Sequence, residues 1–117
     1  GENDFASSDT VTVETVVQRF KTLYGLIRAR FASTPLLYVS MKPSPSRVHL
    51  LKKFEEANNQ IALFLKEDRK AAYADVFSKM LQPDGTPMTD IFLGDNLHMN
   101  AKGYAIWKKV LEKLLLK

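Results

Sequence analysis

The chain has 117 residues and a net charge of +4, and its 45% hydrophobic and 26% charged residues are typical of one globular domain. It contains no cysteine, which excludes a disulfide framework, a thiolate metal site and a cysteine nucleophile among these residues. No apolar run is long enough to span a bilayer and the basic residues lack interleaved aromatics, so we expect neither stable membrane insertion nor nucleic-acid binding.

The N-terminal residues predict a loop followed by a long helix. Gly1-Glu2-Asn3-Asp4 is typical of the loop after a β-strand, although no strand precedes it in this sequence. From Val13 to Phe31, apolar residues recur at steps of three and four, which predicts an amphipathic helix with one broad buried face.

Two short apolar runs predict the strands of a parallel sheet. Leu36–Met41 lies between prolines and fits a fully buried strand, and the less apolar run Ala71–Val76 fits a second one. A helix beginning near Ser46 and ending around Asp68–Lys70 is predicted between them. The loop at 42–46 follows the first strand, at the edge where open α/β sheets carry ligand sites.

The C-terminal part predicts a turn, a loop and a final helix. Gln82–Pro87 carries a strong turn signal, and Asn100 is a suitable cap for the last helix. The core face of that helix is predicted to consist of Tyr104, Trp107, Val110, Leu111, Leu114 and Leu115.

The order of these elements, strands alternating with helices, favours a parallel sheet with right-handed crossovers. Two strands alone would leave the faces and edges of such a sheet bare. We therefore expect the sequence to be the C-terminal part of something longer, which leaves localisation and oligomeric state open.

The segment before the last helix sets a carboxylate and an imidazole three residues apart, at Asp95 and His98. If the segment curls, Asp95 can accept a hydrogen bond from one ring nitrogen and leave the other free to take a proton. Such a pair is the base half of a nucleophilic triad. The alternative is a turn capped by Asp95 beside an ordinary surface histidine, since so short a motif is frequent by chance. A metal site on Asp95, His98 and His49 is disfavoured, because the histidines are distant in sequence and lack a motif spacing.

With both ends in view, the sequence resembles the SGNH, or GDSL-type, ester hydrolases. Gly1-Glu2-Asn3-Asp4 is similar to the family's third block, Gly-x-Asn-Asp, and Asp95-Asn96-Leu97-His98 is similar to its last block, Asp-x-x-His. Residues 91–104 as a whole are close to what bacterial members carry there. The resemblance implies an α/β fold with a parallel sheet, of the three-layer α/β/α flavodoxin-like kind. Residues 1–117 would be the C-terminal segment of a single hydrolase domain.

The resemblance also implies a role for each matching residue. His98 would be the general base and then the general acid, and Asp95 would orient it. Asn3 would donate its side-chain amide to the oxyanion of the tetrahedral intermediate. Gly1 and Asp4 would support the loop that aims Asn3. The implied substrate is a small acyl, lipid or carbohydrate ester, and the chemistry uses no cofactor or metal.

The departure from the family is the absence of its first two blocks, which supply the nucleophilic serine and a glycine of the oxyanion hole. No serine of this sequence stands in a Gly-Asp-Ser context. We therefore expect the fragment alone to be inactive and to be completed by the N-terminal part of the same hydrolase. The alternative is a non-catalytic binding or interaction module on a degenerate SGNH framework. The joint presence of Asn3, Asp95 and His98 favours the enzyme.

Overall fold

The computed structural model describes residues 2–7 and 11–115, and in these ranges helices and strands alternate along the chain. The fold is of the α/β class. The described elements are α1 (Glu2–Ser7), α2 (Val13–Arg30), β1 (Leu36–Val39), a 3₁₀ helix (Pro45–Leu50), α3 (Leu51–Leu65), β2 (Ala71–Ala74), a 3₁₀ turn (Ser78–Met80) and α4 (Ala101–Leu115). None of these helices is long and apolar enough to cross a membrane.

The two strands pair in parallel, with Leu36 opposite Ala71 and Val39 opposite Ala74, which confirms the predicted neighbours. Both strands are two residues shorter than predicted. Beyond their ends, side chains form hydrogen bonds with the backbone groups that would otherwise continue the pairing of the strands. The hydroxyl of Ser40 accepts hydrogen bonds from the backbone N–H groups that follow β2, each at 3.0 Å. The buried Asn58 side chain bonds both the N–H and the carbonyl of Met41, at 2.9 and 3.2 Å.

Within the described residues β1 is not fully buried, since Leu37 is exposed and its neighbours in the strand are only half-buried, as expected of two strands without further neighbours. Among the described residues β2 is the one strand that pairs with it. The broad buried face of α2 is likewise only partly correct. Its first turns are buried, but Leu23 is 56% exposed. An apolar groove of about 380 Å³ lies between α2, β1 and α3, with Phe20 and Tyr38 in its lining.

The predicted N-terminal loop is also wrong, because Glu2–Ser7 forms the helix α1. The physical reason is Phe5, which is almost completely buried and lies against Phe54 of α3 with ring centroids 5.8 Å apart. The helical conformation directs the Phe5 ring into the core, whereas Asn3 stays exposed.

The predicted core face of α4 is confirmed in part, because Trp107 and Val110 pack on the core whereas two of its predicted members are exposed. Tyr104 is 60% exposed and Leu115 is exposed as well, whereas Gly103 is buried and Ile106 packs on the core. The cause is close contact at Gly103. A Cβ atom there would lie 2.7 Å from the backbone oxygen of Ile91. The helix therefore docks through the stripe that begins with this glycine.

The contact at Gly103 predicts the effect of an added methyl group. We expect Gly103→Ala to lower the free energy of unfolding by about 1–3 kcal/mol, because the methyl group would lie within 3.0 Å of the backbone oxygen of Ile91 and of the Met99 side chain. Gly25 of α2 is the matched control, since a Cβ atom there would touch nothing within 4 Å. Gly25→Ala should instead stabilise the protein by about 0.5–1 kcal/mol through helix propensity. Urea denaturation measures both changes, and equal effects of the two substitutions would contradict the close docking of α4.

Candidate active site

The segment that joins the turn region to α4 is closed on itself by backbone hydrogen bonds. Phe92 and Met99 form an antiparallel bridge, and the N–H of Leu93 donates to the carbonyl of His98 at 2.8 Å. Between them the N–H of Asn96 donates to the carbonyl of Leu93 at 2.9 Å. Asn96 has a positive φ of 55°, a conformation that asparagine tolerates better than most residues. We call residues 91–100 the dyad loop.

The side chain of Asn100 joins the dyad loop to α4. Its Oδ1 atom accepts hydrogen bonds from the backbone N–H groups of Lys102 and Gly103, at 2.8 and 3.3 Å, which confirms the predicted helix cap. Its Nδ2 atom donates to the carbonyls of Asp90 and Phe92, at 2.9 and 3.3 Å. The start of the helix and the loop that precedes it are therefore fixed relative to each other.

Asp95 and His98 are in direct contact within this loop, as the sequence predicts. The Oδ2 atom of Asp95 lies 2.6 Å from Nδ1 of the His98 ring. A carboxylate at this distance only accepts, so Nδ1 carries the proton and Nε2 of the neutral ring has the free lone pair. The His98 side chain is 70% exposed and that of Asp95 is 48% exposed, so the ring is accessible to another group.

The hydrogen bonds to Asp95 also determine its charge. The ring of His98 is the largest cause that lowers the pKa of Asp95, followed by the backbone N–H groups of Leu97 and His98, which donate to Oδ1 at 2.9 and 3.0 Å. Together they lower the pKa of Asp95 to about 2. Asp95 is thus ionised throughout the neutral range and holds the ring in one tautomer.

Asn3 is connected to the dyad loop through the segment that follows β1. Its Oδ1 atom accepts a hydrogen bond from Nη1 of Arg47 at 3.0 Å. The residue before this arginine, Ser46, donates its backbone N–H to the carbonyl of Asn96 at 3.1 Å. The structure thereby links the two sequence blocks that lie at opposite ends of the chain. Gly1 lies outside the described residues, and so does the side chain of Asp4.

The sequence analysis did not identify Arg47 as a candidate site residue, although its position along the chain could have indicated it. It follows the loop at the carboxyl end of β1, where ligand sites of open sheets occur. Its link to Asn3 spans 44 positions in sequence, so no local pattern could reveal it.

The remaining candidates are not brought into the site. His49 is exposed, as predicted, and makes none of the contacts of the dyad. No group of three or more metal-ligating side chains occurs in the ranges that the structure describes. Among the side chains described, no hydroxyl group bonds the His98 ring. The hydroxyl of Ser44 is buried, and it forms no hydrogen bond with any of the described residues.

Comparison of the chain with protein-family models gave no match, and comparison with curated proteins gave none either. The features that bear on function are the geometry of the dyad loop and the resemblance in sequence.

The contact between Asp95 and His98 predicts that the Asp95 carboxylate titrates at an unusually low pH. The carboxyl carbon of Asp95, followed by NMR, should titrate with a midpoint near pH 2 rather than at the ordinary 3.8. Because the folded pKa is lowered, this loop contact stabilises the protein above about pH 4 and is lost as the pH falls towards 2. In His98→Ala the largest cause is absent, so the midpoint should rise towards 3.8.

Asp84 provides the internal control for this titration. Its pKa is lowered chiefly by the Thr86 hydroxyl in a different turn, so the His98→Ala substitution should leave it unchanged. A wild-type midpoint of Asp95 at its ordinary value would show that the carboxylate and the ring are not in contact.

Proposed function

We propose that this chain supplies the acid–base dyad and one oxyanion-hole donor of a serine ester hydrolase of the SGNH, or GDSL, type. The nucleophilic serine would come from an N-terminal part of the same protein, and the whole domain would have a three-layer α/β/α flavodoxin-like fold. The single observation that carries the proposal is the 2.6 Å contact between the Asp95 carboxylate and Nδ1 of His98. It leaves Nε2 of an accessible ring free to take a proton.

The proposed chemistry assigns one step to each group. Nε2 of His98 takes the proton of the serine hydroxyl as the serine oxygen attacks the ester carbonyl. The ionised Asp95 stabilises the imidazolium ion that forms. The amide of Asn3 donates a hydrogen bond to the negatively charged oxygen of the tetrahedral intermediate. His98 then returns the proton to the leaving alcohol, and a water molecule releases the acyl group by the same steps in reverse.

The incomplete burial of the sheet supports the proposal that an N-terminal part of the same protein completes the domain. A parallel sheet is normally covered on both faces, whereas Leu37 of β1 and Leu26 of α2 are exposed beside the apolar groove. Further strands and a helix of the same domain would bury these side chains. The proposed partners are therefore that segment and a small acyl, lipid or carbohydrate ester.

A non-catalytic binding module remains the second candidate, and one observation favours it. Among the described side chains no hydroxyl group bonds His98, so these residues alone contain no assembled nucleophile. The two candidates differ in whether the full-length protein hydrolyses an ester.

The experiment uses the protein expressed from its complete gene, with a short-chain aryl ester as substrate. We expect His98→Ala to lower kcat by about 10²–10⁴-fold through loss of the general base. Asn3→Ala should lower kcat by about 10²–10³-fold, as is typical for an oxyanion donor. Its effect on KM should be smaller, because the oxyanion forms only in the transition state.

His49→Ala is the matched control, since this exposed histidine takes no part in the dyad, and it should leave turnover unchanged. Residues 1–117 alone should give no turnover above buffer. Wild-type turnover by the His98→Ala protein would contradict the assignment of the base. A folded full-length protein that hydrolyses no ester would favour the binding module.

A further inference from the structure

The amide group of Asn3 has two different ends, and only one of them suits the proposed chemistry. Its NH₂ group donates hydrogen bonds and its oxygen accepts them. An oxyanion needs the donor, so the NH₂ end must face the reacting ester. Asn3 is exposed on the short helix α1, and no other side chain described in that helix bonds its amide.

The side chain of Arg47 makes this selection. A guanidinium group has only donors, so the part of an amide that can face it is the oxygen. Nη1 of Arg47 donates to Oδ1 of Asn3 at 3.0 Å, which turns the NH₂ group of Asn3 away from the arginine. Within the described part of the chain, that NH₂ group donates to no other residue.

The side chain and the backbone of Arg47 are themselves held by further contacts. Its side chain is only 18% exposed, and Nη1 also donates to Oε1 of Glu2 at 3.2 Å. Lys42 donates to the same carboxylate oxygen at 2.8 Å. The backbone N–H of Arg47 donates to the carbonyl of Ser44 at 3.0 Å. The Glu2 carboxylate therefore anchors the guanidinium group beside Asn3.

The same segment is fastened to the dyad loop. The N–H of Ser46 donates to the carbonyl of Asn96, which lies between Asp95 and His98 in sequence. The side chain of Arg47 therefore contacts the amide of Asn3, and the backbone of the preceding residue contacts the dyad loop.

We infer that Arg47 is a positioning residue of this site: it holds the amide oxygen of Asn3, so that the amide NH₂ group is presented to the oxyanion. The inference rests on the proposed function, since it assigns Arg47 a part in the same reaction. It goes beyond that proposal because it names a residue outside the two sequence blocks that act in catalysis.

A double-substitution cycle in the full-length protein tests the inference with the aryl ester as substrate. Arg47→Met keeps much of the apolar stem and removes the donors, and it should lower kcat by about 10- to 100-fold with little change in KM. Arg47→Lys retains a donor and a charge and should restore part of the loss. In the Asn3→Ala background, Arg47→Met should cause no further loss, because the group on which it acts is already absent.

A purely structural role predicts a different pattern. Losses that multiply in the double variant would overturn the inference, and so would wild-type kcat in Arg47→Met. Thermal unfolding establishes that each variant is folded, and Arg47→Ala provides a second donor-free variant for the same cycle. If Asn3→Ala itself leaves kcat unchanged, the proposed function fails. If Asn3→Ala lowers kcat and Arg47→Met does not, the positioning role alone fails.

Discussion

The two oxygens of the Asp95 carboxylate serve different purposes, and the site depends on both. One oxygen accepts the hydrogen bond of the His98 ring, and the other accepts two backbone N–H groups of the same turn. The backbone bonds fix the direction of the carboxylate, and the fixed carboxylate in turn selects the tautomer of the ring. All three bonds favour the charged form, which explains why the pKa of Asp95 is lowered to about 2 in a residue open to solvent.

A loop of this kind acts chemically only if it is held beside the groups it serves. Asn100 and the close approach at Gly103 attach the dyad loop to α4. The bond from Ser46 to Asn96 attaches it to the segment that follows β1, and Arg47 extends the connection to Asn3. Hydrogen bonds of the backbone and of polar side chains therefore join the dyad loop, the segment that follows β1 and Asn3.

The sequence predicts the features that depend on neighbours along the chain. The Asp95–His98 contact and the Asn100 cap each join residues three or fewer positions apart, so the local pattern was sufficient. The parallel pairing of the strands followed from the alternation of elements. The three-layer arrangement of the whole domain stays a prediction.

The features that the sequence did not predict depend on contacts between distant residues. Asn58 reaches 17 positions back to cap the end of β1, which shortens the strand. Burial of Phe5 against Phe54 makes a helix of the expected N-terminal loop. The docking of Gly103 on Ile91 brings α4 close to the loop, and Tyr104 of the predicted core face stays exposed. Each is decided by tertiary packing, which overrides local preference.

Labelling with a fluorophosphonate measures whether His98 activates a serine, as we propose. An activated serine attacks the phosphorus atom and displaces fluoride, which leaves a stable adduct that mass spectrometry of peptides can locate. We expect one labelled serine in the full-length protein, outside residues 1–117, with labelling largely lost in His98→Ala and retained in His49→Ala. Labelling of that serine at the wild-type rate in His98→Ala, or no labelled serine in the folded full-length protein, would show that His98 is not the base of a serine hydrolase.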